Sequence, residues 1–126
     1  MRAFLFSLMI SICCWPVHAA LSILGETPEG ILYIDKESAE KQGNNLRVLS
    51  TQDFHQPQTL HGHEYLSAKA WYEVDCAGKK IRQVGLEIFP ENMANGGTMH
   101  KDTQVQAWLT PEQGTRQAII WKGICA

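Results

Sequence analysis

The chain has no apolar run long enough to cross a membrane as a helix. A spanning helix needs about 20 apolar residues, and the longest uncharged apolar stretch, Ala3 to Cys14, falls well short. Concentrated positive charge is missing too. Eleven Lys and Arg stand against 13 Asp and Glu, for a net charge of −2. That balance argues against nucleic acid or an anionic membrane as partner, since both select clustered Lys and Arg. No G-x-S-x-G, no H-E-x-x-H and no phosphate-cradling glycine loop occurs. Ser67, Asp75 and a histidine make a triad only on paper. Ser67 and Asp75 fall eight residues apart on one expected strand, roughly 26 Å, too far to act together. These absences point away from an enzyme. Internal repeats and low-complexity tracts are also lacking.

What is present starts with a leader. "MRAFLFSLMISICCWPVHAA" has one basic residue, Arg2, then the apolar run, then Val17 and Ala19 in an A-x-A-like cleavage pattern. This is the layout of a secretory signal peptide spanning 1–19, with cleavage after Ala19. The competing readings are a short membrane anchor, for which the run is too short, and a lipoprotein. Lipid attachment wants a small residue before the cysteine, whereas Ile12 precedes Cys13 and Cys13 precedes Cys14. A soluble exported product of the periplasm or cell surface is therefore favoured over a lipid-anchored one. Removing 19 of 126 residues leaves 107, and losing Arg2 moves the charge from −2 to −3. Residues 20–126 make a single domain.

Only Cys76 and Cys125 remain in that domain. Disulfides persist outside the cytosol, and two cysteines allow one intramolecular pairing. The bridge would close a loop of 50 residues, which the chain-entropy relation values at about 4 kcal/mol. The other reading is a reactive dithiol, but such pairs usually sit close together as C-x-x-C.

Hydrophobic periodicity places the strands. "YLSAKAWYEVDC", 65–76, alternates: Leu66, Ala68, Ala70, Tyr72, Val74 and Cys76 form a largely apolar register, and Tyr65, Ser67, Lys69, Trp71, Glu73 and Asp75 a mostly polar one. Period two over this length marks a half-buried antiparallel strand. "ILYID" (31–35) and "LRVLSTQDF" (46–54) read as earlier strands, joined by a polar turn with a helical turn in "ESAE". Residues 55–64, "HQPQTLHGHE", read as a loop marked by Pro57 and Gly62. "AG" at 77–78 leads into a strand over 79–89. There Val84, Leu86 and Ile88 share a face and Ile81 is out of phase, so a bulge is expected between Ile81 and Val84. "PENMANGG" is a second turn, and "TMHKDTQVQAWL" a fifth strand broken near Asp102. A helix follows, starting at Thr110-Pro111 or nearer Thr115. Ala118, Trp121 and Cys125, with Ile120 and Ile124, give it an apolar stripe. The fold class is α+β: a small antiparallel sheet of about five to six strands, with a C-terminal helix packed on one face and tied by a disulfide.

The ordered set "YLSAKAWYEVDCAGKKIRQVGLEIF", "ENMANGG", Trp108 and a terminal helix closing on "ICA" resembles the bacterial surface-adhesin protein E family. "ILYIDKESAEKQGNNLRVLS" also looks like that family's opening strand and turn, so the resemblance covers about 31–126. It implies a small antiparallel sheet tied to its helix by a disulfide, and a non-enzymatic role. The activity named for the family is adhesion to host extracellular-matrix proteins. No family binding residue maps onto a recognisable motif here.

Several residues are candidates on chemistry alone. Trp71 lies on the polar register between Lys69 and Glu73. An aromatic flanked by charge suits a protein interface, or else this face is covered by 55–64 or by another subunit, as in a homodimer. His61 and His63, with Glu64 and nearby His55, could ligate zinc or copper, or could simply be an exposed polar loop. Met93, Met99 and His100 are donor types suited to haem, though methionines more often pack. Arg82 and Glu87 read as surface or cross-strand charges. The reading is thus of an exported, non-enzymatic binding protein with an unidentified protein partner. The alternatives are a periplasmic metal or haem carrier and a structural envelope protein.

Overall fold

Alternation along the strands builds the sheet. The computed structural model describes residues 21–126, so the expected signal peptide lies outside the described residues. β1 (Ser22–Thr27), β2 (Gly30–Gln42), β3 (Asn45–Leu60), β4 (His63–Asp75), β5 (Lys80–Phe89) and β6 (His100–Asp102) pair in chain order as one six-stranded sheet. Every pairing is antiparallel. A meander of this kind needs only short connections between neighbours. α1 (Arg116–Cys125) follows as a single helix.

The register lines up one apolar face. Leu32, Ile34, Val48, Ala70, Tyr72, Val74 and Ile81 are buried there, and Ile120 of α1 is buried against them. Ile119, Trp121 and Ile124 pack around the same cluster. Each large side chain removed from water contributes roughly 1.5–3 kcal/mol, so this stripe holds the helix down. Thr115 caps α1, its Oγ1 accepting from the Ala118 N–H at 3.3 Å, which satisfies one orphan donor. Cys76, just past β4, is bonded to Cys125 in the last turn of α1, with Cα atoms 5.4 Å apart. A smaller cluster of Phe54, Ala68 and Ile88 fills the other end, with Tyr65 edge-on to Phe54 at 5.7 Å.

The bulge in β5 falls at Val84. Trp71 pairs with Gly85 and Tyr72 with Gln83, leaving Val84 unopposed. One extra residue flips the side-chain phase, so Ile81, Leu86 and Ile88 all reach the core. Val84 leaves the face expected of it and lines the opposite side.

Ser22–Thr27 forms an edge strand that no clear alternation marks in the sequence. Three expectations are corrected. Residues 36–42 continue β2 and Asn45 opens β3, so the expected turn shrinks to Gly43 and Asn44 and no helical turn forms. Ser38 Oγ donates to the Asp35 carbonyl at 2.5 Å and accepts from the Leu49 N–H at 3.0 Å, stitching a bulge where the helical turn was expected. Residues 55–64 are also largely strand, because Pro57 sits in the register break between Asp53 and Gln58, where no ladder donor is required. The fifth strand expected over 98–109 pairs regularly only at His100–Asp102, with one further bridge between Leu109 and Ile81. α1 starts at Arg116, the later of its two expected beginnings.

Candidate protein-binding face

The sheet face away from α1 carries the polar register. Glu40, Arg47, Glu73 and Arg82 lie opposite one another across β2, β3, β4 and β5. Alternating charge along such a row is favourable, because directly opposed side chains meet. Arg82 grips Glu73 with two donors, Nε at 3.1 Å and Nη2 at 2.8 Å from Oε2. Asn45 Nδ2 donates to the other carboxylate oxygen at 3.1 Å. Partial burial pushes the Glu73 carboxyl up. The hydrogen bonds from Arg82 and Asn45 and the charges of Arg82 and Arg47 together outweigh it, and leave the group below its ordinary 4.5.

Both arginines also stack on indoles. The Arg47 guanidinium carbon lies 5.0 Å from the Trp71 ring centroid, and that of Arg82 lies 4.3 Å from Trp108. Guanidinium over an indole face is attractive and restricts both side chains. The row therefore reads Trp71–Arg47–Glu73–Arg82–Trp108, two guanidinium–indole stacks on either side of one carboxylate that Arg82 bonds and Arg47 opposes across the strands. It borders an open groove of about 420 Å³ whose lining includes Arg47, Trp71, Glu73, Arg82, Lys101 and Val105. Val105 is 54% exposed. The groove offers apolar ring surface, a cationic edge and fixed acceptors, the combination that anchors protein interfaces.

Of the residues singled out from sequence, Trp71, Glu73, Arg82 and Glu87 meet in this groove. Lys69 does not line it. Lys69 stands one register step away, opposite Glu87, with Nζ 5.8 Å from the Phe89 ring centroid. Nothing from 55–64 lines the groove beside Trp71. Arg82 and Glu87 are cross-strand charges: Arg82 pairs with Glu73, and Glu87 lies opposite Lys69 and Lys101. Arg47 and Trp108 are the contributors that sequence reasoning missed. Arg47 interrupts the apolar "LRVL" run on its polar phase, which was the available signal. Trp108 was marked only by the family resemblance, with no strand pattern to place it, because the segment holding it pairs only at Leu109 and Gln106.

The other candidates lie elsewhere. His61 sits in the β3–β4 turn and His63 opens β4, both exposed. Met93 lies in a 3-10 turn (Asn92–Ala94), and Met93 and Met99 are each 40% exposed. Among the described residues, no group of three or more His, Cys, Asp or Glu is placed to hold a metal ion. Ser67, far from Asp75 on β4, has a structural task. Its Oγ donates to the Glu91 carbonyl at 2.5 Å and accepts from the Ala94 N–H at 2.8 Å.

The chain is thus a mixed antiparallel-sheet and helix domain, bridged by sulfur and presenting a ridged polar face. The family model for surface-adhesin protein E matches residues 21–126, and the chain belongs to that family. It is accordingly a surface-adhesin-like protein. No curated protein matches it. Among solved structures, that of Haemophilus influenzae protein E is similar at TM-score 0.64 and 16% identity, covering 86% of each chain. Protein E from non-typeable Haemophilus influenzae is similar at TM-score 0.63 and 16% identity, covering 86% of this chain and 77% of that one. At that identity the likeness concerns the fold. No helix among the described residues is long and apolar enough to cross a membrane.

Proposed function

We propose that this protein is an exported, non-catalytic adhesion module, freed of residues 1–19. It holds a host extracellular-matrix protein against the Trp71–Arg47–Glu73–Arg82–Trp108 strip. Family membership supports the adhesive role. The observation that carries the choice of face is the pair of guanidinium–indole stacks, at 5.0 and 4.3 Å, beside an open groove. Such side chains are already ordered before binding, so less entropy is lost when a partner docks. Surface plasmon resonance of the purified exported protein over immobilised matrix proteins tests the reading. Binding that Trp71→Ala and Arg47→Ala weaken supports it. No binding above a carrier-protein surface, or binding indifferent to both changes, sinks it.

A further inference from the structure

His61 and His100 belong to different hairpins, yet their imidazole centroids lie 6.0 Å apart with ring planes at 66°. Each ring hangs from fixed backbone. His61 has φ 50° and Gly62 φ 78°, while Leu60 and His63 pair directly across them. Two successive positive φ values make this a tight hairpin turn, in which His61 tolerates the left-handed region and Gly62 adopts it freely. His100 opens β6 opposite Ile88, and the neighbouring Met99 N–H donates to the Ile88 carbonyl at 2.9 Å. Both histidines are exposed.

We propose that His61 and His100 form a two-imidazole site for a borderline divalent metal ion, and that the ion clips the β3–β4 turn to β6. Metal–nitrogen bonds of about 2.0–2.1 Å place the centroids of two imidazoles on one ion roughly 5–6.5 Å apart. The observed spacing falls in that window, so rotation of exposed rings suffices to aim both nitrogens at one point. Imidazole suits zinc, nickel and copper, and the stability order puts copper(II) highest. With no third His, Cys, Asp or Glu of the described residues placed to complete the shell, water takes the remaining positions. The ion is exchangeable, and its affinity micromolar rather than nanomolar. The pairing differs from the one suggested by "HGHE", because it is His100, from a separate strand, that faces His61.

Isothermal titration of tag-free exported protein with copper(II) decides the matter, with His61→Asn, His100→Asn and His63→Asn compared. Asparagine also tolerates the left-handed backbone at position 61, which keeps the turn intact. The expected result is one ion per chain. Affinity should fall at least about tenfold in His61→Asn and His100→Asn, and stay within about threefold in His63→Asn. Copper should also raise the melting temperature of the parent protein, since a ligand that binds only the folded state stabilises it, and should not raise that of His100→Asn. Affinity no better than millimolar overturns the site. So does binding indifferent to His100→Asn, or an equal loss in His63→Asn. None of these outcomes bears on the groove around Trp71.

Discussion

The Trp121 indole Nε1 donates to the Asp75 carbonyl oxygen at 3.2 Å, fastening α1 to the end of β4 one residue from the Cys76–Cys125 bridge. The helix is thus held twice at one corner, by a covalent bond and by a hydrogen bond. Elsewhere it is held by Ile120 and its apolar neighbours. Replacing both cysteines by serine should lower unfolding free energy by up to about 4 kcal/mol, the loop-closure value for 50 residues. Trp121→Phe keeps an aromatic ring but removes the donor and part of the packed indole, at a cost of at least about 1 kcal/mol. Urea denaturation measures both. A double-cysteine variant as stable as the parent would show that the apolar contacts and hydrogen bonds of α1 anchor it without the bridge.

The groove makes a graded prediction about binding. Trp71 is a central ring with Arg47 stacked on it, and Lys69 lies one row away. Trp71→Ala should reduce affinity for an immobilised matrix protein at least tenfold, about 1.4 kcal/mol or more, as a central anchor does. Lys69→Ala should change it less than about threefold, as near-neutral peripheral contacts do. A stability double-mutant cycle between Arg47 and Trp71 should show coupling of about 0.5–1 kcal/mol, independently of any partner. Equal losses for Trp71 and Lys69 would move the contact away from the groove.

The readable part of this fold was the part with one buried face. β4 alternates because its Ala68-to-Val74 register meets the core while Trp71 and Glu73 face out, and Cys76 has a single possible partner. β2 beyond Asp35 and β3 beyond Phe54 run past most of that core. Their residues are largely exposed, so no apolar alternation marks them as strand. Pro57 resembled a loop signal because a break in the ladder tolerates proline as well as a loop does. At the candidate site, Trp71 and Glu73 were visible as an aromatic beside charge. Arg47 was not, and Arg82 was visible only as a cross-strand charge without its partner, because both become neighbours of Glu73 through register, which depends on bulges whose exact positions single-strand periodicity leaves open.

Ser67 shows how a residue that looks catalytic can be a fastener. It is fully buried and bonds both the Glu91 carbonyl and the Ala94 N–H. Asp53 adds a second tie, accepting from Asn92 Nδ2 and the Met93 N–H, both at 2.9 Å. Together they hold Met93 and Ala94 at φ 56° and 60°, where side-chain-bearing residues are strained. Ser67→Ala leaves two backbone groups without their partner and should cost about 1–3 kcal/mol. Hydrogen exchange should rise first at residues 91–95, while β2 and β3 stay protected. Uniform loss of protection would mean that Ser67 supports the whole sheet instead of this turn.

Glu73 gives the domain a pH dependence whose sign is determined. Its carboxyl is held below the ordinary 4.5, because bonds from Arg82 and Asn45 outweigh burial. The folded state therefore binds this proton less readily than the unfolded chain does. The stabilisation is present above the ordinary value and is lost as pH falls through 4.5 toward the folded-state value. A two-donor ion pair with side chains 28% and 16% exposed is screened by solvent, so the amount lost is about 0.5–1 kcal/mol. Melting temperature followed from about pH 6 down to pH 3 should fall more steeply in the parent than in Glu73→Gln, whose amide does not titrate. Because Glu73 also orders Arg82 beneath Trp108, partner binding should weaken over the same interval. Parallel melting curves for the two proteins would mean that the pair shapes the groove without contributing pH-linked stability.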